Sequence, residues 1–232
     1  MKVEIWSDVM CPFCYIGKHN FEKALENLPF KNEVEVEWKS FQLDPTLNPS
    51  ETKTTVEYFK EKKGIPEAQA SQMVSQVAQM GQMAEIDFNF EKALITNTFP
   101  AHRLIHLAKK HNLSSEVEEA LFEAHFIDGE NVGSIDLLVS IAEKLGIDKE
   151  EAQKVLNSDT FDQEVNQDIA DAQNNGITGV PFFVLNGKYA VSGAQPVETF
   201  VNALQQTYNE TVSPFKDLSD GGTSCDADGC SI

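Results

Sequence analysis

Cationic side chains are scarce in this chain: 18 Lys and Arg stand against 37 Asp and Glu in 232 residues, a formal net charge of −19. Nucleic-acid binding takes its affinity from clustered Lys and Arg that displace counterions, and anionic lipid makes the same demand, so neither is expected as a partner. Long hydrophobic runs are missing too. No stretch approaches the ~20 apolar residues that span a bilayer. The opening Met1-Lys2-Val3-Glu4-Ile5-Trp6-Ser7-Asp8 has neither the apolar core nor the small-residue cleavage site of a secretory signal. The expected location is therefore cytoplasmic. No phosphate-cradling glycine loop and no His-rich metal pattern occurs, so no cofactor and no metal are expected. Cysteine is sparse, with four residues. In a reducing cytosol, structural disulfides are rare and paired cysteines are catalytic or metal-binding.

What is present reads as α/β. Lys2 to Asp8 alternates apolar and polar residues and runs into Val9 and Met10, as a buried strand does. Pro12 to Leu28 places Ile16, Phe21, Ala24, Leu25 and Leu28 at helical spacing, and Asn27-Leu28-Pro29 stops it. Glu33 to Leu43 alternates again, with Val34, Val36 and Trp38 on one side. This β-α-β order implies a parallel pair with a right-handed crossover. The pattern resumes near Thr160, where Phe161, Val165, Ile169 and Ala172 form a helical face closed by Asn174-Asn175-Gly176. Phe182–Leu185 and Lys188–Val191 follow, joined by the hairpin signal Asn186-Gly187. Pro196 then opens a helix carrying Val197, Phe200, Val201 and Leu204.

The fold class is accordingly α/β: a thioredoxin core (β-α-β … α-β-β-α) with a large all-helical insertion and a mobile C-terminal tail. The expected divisions are 1–45 and 160–208 for the core, 46–159 for the insertion and 209–232 for the tail. Within the insertion, Ser115-x-x-Glu118 fits a capping box and Ser134 fits an N-cap. Thr55–Lys62, Pro66–Met83 and Pro100–His111 read as helices. Met73, Met80 and Met83 read as gap-filling core methionines.

The chemistry centres on Cys11-Pro12-Phe13-Cys14. Thiol–disulfide exchange needs an attacking thiolate, access to the substrate sulfur and a second thiol to resolve the mixed disulfide. Cys11 falls between a strand and a helix, where free backbone N–H groups and the helix dipole favour a thiolate. Pro12 fits the first helical turn, and Cys14 returns to the same side as the less exposed, resolving thiol. Half of a structural zinc site is the alternative, but it needs a second ligand pair.

Trp6-Ser7-Asp8-Val9-Met10-Cys11-Pro12-Phe13-Cys14-Tyr15-Ile16-Gly17 resembles the opening of the FrnE-type branch of the DsbA-like oxidoreductases. Asn97 to Leu104, Ala124-His125-Phe126 and Gly176-Ile177-Thr178-Gly179-Val180-Pro181-Phe182-Phe183 resemble the same branch, over about residues 2 to 208. The resemblance implies a cis peptide before Pro181, opposite the cysteines, with the Val180 backbone free to pair with an extended substrate. His102, in one of the resembling segments, is a candidate for the rim of the substrate groove. Periplasmic members of the wider family that it resembles carry His where this chain has Phe13, so a milder, more reducing couple is expected.

Cys225 and Cys230 form a second pair across Asp-Ala-Asp-Gly. Three readings stand: a redox relay to Cys11 and Cys14, a soft-metal site with Asp226 and Asp228, or an inert chain end. Asp8 and Glu4 are candidates for moving a proton at Cys14. The expected function is a protein disulfide reductase or isomerase, with disulfide-containing proteins or small thiols such as glutathione as partners. The rivals are a glutathione-dependent isomerase or transferase of small aromatic compounds, and a zinc-holding or chaperone-like binding module.

Overall fold

The structure is a computed structural model that describes residues 1–49 and 51–212, together with the strand residues Cys225, Asp226, Gly229 and Cys230. Its main sheet is built outward from β1 (Lys2–Ser7). β1 runs parallel to β2 (Glu35–Ser40), with Ile5 opposite Trp38, and antiparallel to β5 (Phe182–Leu185), with Ile5 opposite Phe183. β6 (Tyr189–Ser192) closes the order β2-β1-β5-β6. Both faces of β1 are covered by other elements: Val3 and Ile5 pack in one cluster with Phe21 and Phe200, and Trp6 packs in another with Ala172 and Ile177, which is why all three are buried.

Helix α1 (Pro12–Glu26) makes the crossover between the parallel strands. α8 (Asp162–Asn174) and α9 (Val197–Val212) complete the core elements. Phe21 of α1, Phe183 of β5 and Phe200 of α9 meet with ring centroids 4.7–5.9 Å apart, mostly edge to face. Each such ring removes enough apolar area to contribute about 2–3 kcal/mol, and together they tie both chain halves to one sheet. The hairpin between β5 and β6 is as its sequence demands: Asn186 and Gly187 both take positive φ, 51° and 64°. α9 continues four residues past Tyr208. Its last turn is held by Glu210, which accepts from the Tyr189 hydroxyl and the Lys188 ammonium.

The insertion comprises β3 (Lys53–Thr54), α2 (Thr55–Lys63), α3 (Glu67–Met83), β4 (Leu94–Ile95), α4 (Phe99–Lys110), α5 (Ser114–Glu123), a π-helical turn at Ala124–Asp128, α6 (Ile135–Lys144) and α7 (Lys149–Leu156). It is helical apart from the two-residue antiparallel pair β3–β4. Its apolar faces do not form a separate unit. One buried cluster runs from Val3, Phe21 and Trp38 of the sheet layer through Leu104, Leu107, Leu121 and Leu138 of the insertion.

Two expectations are corrected, and a third, Ser134, is met in position though not in hydrogen bonding. Ser115 and Glu118 make no capping box, because both side chains are drawn into tertiary contacts: Ser115 accepts from the Trp38 indole at 2.9 Å and Glu118 from Ser7 at 2.7 Å. The capping box lies instead at Thr54 and Glu57, ahead of α2. Ser134 occupies the N-cap of α6 without a side-chain hydrogen bond. Finally, Met73, Met80 and Met83 are exposed, Met83 by 79%. α3 packs through small residues instead; a Cβ on Gly81 would stand 2.4 Å from the Phe88 ring.

The expected mobile tail lies outside the described residues, except for the end of α9 and a short pair. In that pair β7 (Cys225–Asp226) runs antiparallel to β8 (Gly229–Cys230), with Cys225 opposite Cys230. Among the described residues no helix is long and apolar enough to cross a membrane.

Candidate active site

The site forms where β1 hands over to α1. After Ser7 the chain turns once, with the Cys11 amide donating to the Asp8 carbonyl at 2.9 Å. Cys11 is the N-cap of α1 with extended backbone, φ −96° and ψ 111°, and Pro12 starts the first turn where its missing N–H costs nothing. The Cys11 carbonyl receives the amides of Cys14 and Tyr15 at 3.0 and 3.4 Å, which folds Cys14 back beneath Cys11. Cys11 is 4% exposed and Cys14 1%, and Phe13 stands out beside them. Both thiols are free.

Across from this helix end lies the Val180–Pro181 peptide, which is cis. The Cys11 thiol donates to the Val180 carbonyl at 3.7 Å. Close approach here depends on Gly17 of α1, where an added Cβ would come 2.8 Å from Pro181 Cγ. The structure thus brings together Cys11, Pro12, Phe13, Cys14, Val180 and Pro181. On the chain side leading to Val180, an open cavity of about 380 Å³ is lined by Phe41, Gln42, Pro45, Ile169, Ile177 and Thr178, among others.

His102 does not join that set. It is buried, so it cannot rim a substrate groove; its Nε2 instead faces Asp8 Oδ1 at 3.5 Å. The reason is that α4 is enclosed on every side: each residue from Ala101 to Ala108 is buried, so no helical phase would leave His102 at a surface. Of the two carboxylates flagged before the motif, Asp8 is buried near the cysteines and accepts the Leu43 amide at 2.7 Å, whereas Glu4 pairs with Lys2 on the sheet.

Close to Cys14 is a set of buried polar groups. The Ser7 hydroxyl donates to Glu118 Oε1 at 2.7 Å. Burial pushes the Cys14 thiol well up from its ordinary value, and the Cys11 sulfur adds to this, while the Asp8 amide and the Ser7 hydroxyl pull the other way. Burial also raises Glu118 to about 7, opposed by its hydrogen bond from Ser7. His125, in the π-turn, is lowered to about 4 by burial, with Asp8 opposing. Asp8 Oδ1, Thr96 Oγ1, Glu118 Oε2 and the ring nitrogens of His102 and His125 are buried without a hydrogen-bond partner among protein groups.

Two further anchors fix this region. Glu119, beside Glu118 on α5, accepts from the Tyr15 hydroxyl at 2.7 Å and from the buried Lys18 ammonium, tying α5 to α1. Tyr15 also stacks on Phe122 of α5 at 4.8 Å between centroids. Farther out, Asp168 of α8 accepts from the Ser40 amide at 3.0 Å and from His106 at 2.9 Å, and pairs with Lys39. Despite burial, these partners hold its carboxyl down to about 2.

Sequence reasoning missed Ser7, Glu118, Glu119, His125 and Asp168. Ser7 and His125 lay inside the resembling segments without being singled out, and Glu118 sits three and four residues ahead of Leu121 and Phe122, so it shares the apolar face of its helix.

Known proteins are similar to this chain over most or all of its length. The Bacillus subtilis (strain 168) protein YwbO is 30% identical over 215 residues, covering 87% of this chain and 94% of that protein. A crystal structure from Streptomyces coelicolor, described as a probable DsbA oxidoreductase, is 36% identical with a TM-score of 0.87, covering 100% of this chain and 99% of that one. The cytosolic disulfide reductase DsbM from Pseudomonas aeruginosa shares the fold at a TM-score of 0.64 and 12% identity, covering 90% and 100% of the two chains. A family model for the DSBA-like thioredoxin domain matches residues 2–205, from the first strand, through the cysteine pair and the whole insertion, into the last helix, and it is to this family that the chain belongs.

Proposed function

We propose that this member of the family is a thiol–disulfide oxidoreductase, acting as a protein disulfide reductase or isomerase in the cytoplasm and belonging to the FrnE-type branch. One observation supports the reading above others: a free dithiol at a helix N-terminus, with the Cys11 sulfur facing the Val180 carbonyl. Cys11, as thiolate, attacks one sulfur of a substrate disulfide; a Cys11–substrate bond forms and the departing sulfur leaves as thiolate and takes a proton. Cys14 then loses its proton and attacks Cys11, forming Cys11–Cys14 and releasing the second substrate sulfur. Two electrons have passed to the substrate, and an external thiol such as glutathione returns them. The Val180 backbone and the exposed Phe13 ring flank the place where an extended substrate segment pairs. Disulfide-bearing proteins are the proposed partners.

Insulin-disulfide reduction tests this. Cys11→Ser should abolish it, and Cys14→Ser should accumulate a mixed disulfide with substrate. Full activity in Cys11→Ser ends the proposal. Glutathione binding without disulfide turnover would favour the isomerase or transferase reading. Cys225 and Cys230, opposite in register between β7 and β8, are proposed as a relay that exchanges with the first pair. Unchanged turnover and unchanged redox state of Cys11–Cys14 in Cys225→Ser would remove the relay.

A further inference from the structure

Cys14 presents a problem that its role as resolving thiol makes acute. It must lose a proton before it can attack, yet it is 1% exposed and no solvent base reaches it. We propose that Glu118, carried into the thioredoxin core on α5 of the insertion, receives that proton through the Ser7 hydroxyl. The proposal rests on the oxidoreductase reading of the same site and adds the path of its proton.

The geometry is that of a two-step relay. Ser7 closes β1 and its hydroxyl already donates to Glu118 Oε1 at 2.7 Å. The same hydroxyl is a hydrogen-bond partner of the Cys14 sulfur and favours its thiolate, so Ser7 stands between the group that loses the proton and the one that takes it. When Cys14 ionises, its S–H proton passes to Ser7 Oγ while the Ser7 proton passes to Glu118 Oε1. Ser7 ends as it began and Glu118 ends neutral. The Cys14 thiolate then forms its bond to Cys11 as the Cys11–substrate bond breaks. The substrate sulfur leaves with the electron pair and is protonated by water. Reduction of Cys11–Cys14 by an external thiol runs the same proton back.

The groups packed around Glu118 are compatible with that task. Burial holds its carboxyl near 7, so both forms are accessible at neutral pH. His102 of α4 and Lys18 of α1 draw it down, and Asp8 pushes it up. Lys18 is itself engaged by Glu22 and Glu119. Asp8 is the worse acceptor, since one oxygen is committed to the Leu43 amide and the other faces His102. Glu118 Oε2 has no protein partner to lose when the acid is formed. Glu118 touches no reacting atom; it acts on Cys14 through Ser7.

Rapid mixing of the reduced full chain with dye-labelled glutathione disulfide separates attack by Cys11 from release by Cys14. Glu118→Gln, which preserves shape and hydrogen bonding to Ser7, should slow release on the order of 10²-fold and erase its inflection near pH 7. Attack should keep its rate. Ser7→Ala should slow release in the same way with Glu118 present, and Glu118→Asp should restore the pH inflection in part. Equal slowing of both phases without movement of the pH profile would reduce Glu118 to a structural residue and overturn the proposal. So would an unchanged release phase in Glu118→Gln. If the wild type forms no mixed disulfide at all, the oxidoreductase reading falls and the relay falls with it; if it forms and resolves one normally, only the relay is at stake.

Discussion

Glu118 and His125 are both buried and both feel the charge of Asp8, and their effects on folding stability oppose each other. In the unfolded chain a histidine protonates near 6.5, but buried His125 stays neutral until about 4. As pH falls from 6.5 toward 4 the unfolded state gains a proton that the folded state refuses, so stability is lost on acidification. Glu118 runs the other way. It ionises near 4.5 when unfolded and near 7 when folded. As pH rises from 4.5 toward 7 the unfolded state releases a proton that the folded state keeps, so stability is lost on alkalinisation. At about 1.4 kcal/mol per pH unit, each group is worth about 3 kcal/mol across its window. Between 4.5 and 6.5 the two slopes cancel in the native chain. Single substitutions should unmask them. Glu118→Gln should leave a chain that gains about 1.4 kcal/mol per pH unit on going from 4.5 to 6.5, and His125→Phe one that loses as much. Urea unfolding at pH 4.5, 5.5, 6.5 and 7.5 under reducing conditions gives the slopes. Packing changes at residue 125 shift every point equally and drop out. Cys14 titrates far above this range and is silent. If both variants run parallel to wild type across the window, the burial argument for these groups is wrong.

Other perturbations follow from contacts already described. Gly17→Ala drives a methyl group into the Pro181 ring; it should cost about 1–3 kcal/mol in urea unfolding and lower insulin reduction at the same time. Asp168→Asn leaves Lys39 and His106 without their anion, and a loss on the order of 3 kcal/mol should appear as an earlier unfolding midpoint at pH 7. Phe13→His places a cation beside Cys11 and should make the Cys11–Cys14 couple more oxidising, read as a less negative potential in glutathione redox buffers.

Much of the fold could be read from residue order. Asn186-Gly187 allowed one hairpin, and the β-α-β opening allowed one crossover hand. The upper half of the site was equally legible, since Cys11-Pro12-Phe13-Cys14 carries its helix start within it and the segment at Val180-Pro181 resembled that of a known branch. The lower half was not, because its residues earn their roles from neighbours far along the chain. Ser7 and Glu118 are 111 residues apart. Ser115-x-x-Glu118 satisfied a local capping pattern, and only the approach of Trp38 and Ser7 redirects both side chains. His102 failed for the converse reason: a resembling segment marked it, but α4 is buried on all sides there and encloses it. The methionines of α3 failed because the helix packs through Ala70 and Gly81, whose smallness carries no hydrophobic signal.

The pairing of β1 with β5 sets a timetable for synthesis. Val3 meets Leu185 across the sheet, so the strand that precedes the cysteines waits for a partner made much later along the chain. At 5–20 residues per second, the roughly 170 residues between Cys11 and Val180 take on the order of 10–30 s to emerge. Throughout that interval a nascent chain displays two thiols on an unfinished sheet, with neither the Val180 carbonyl above nor, for most of it, Glu118 below. Glutathione-rich surroundings keep those thiols reduced while the ribosome finishes; in an oxidising compartment the same delay leaves the pair open to capture by any passing disulfide.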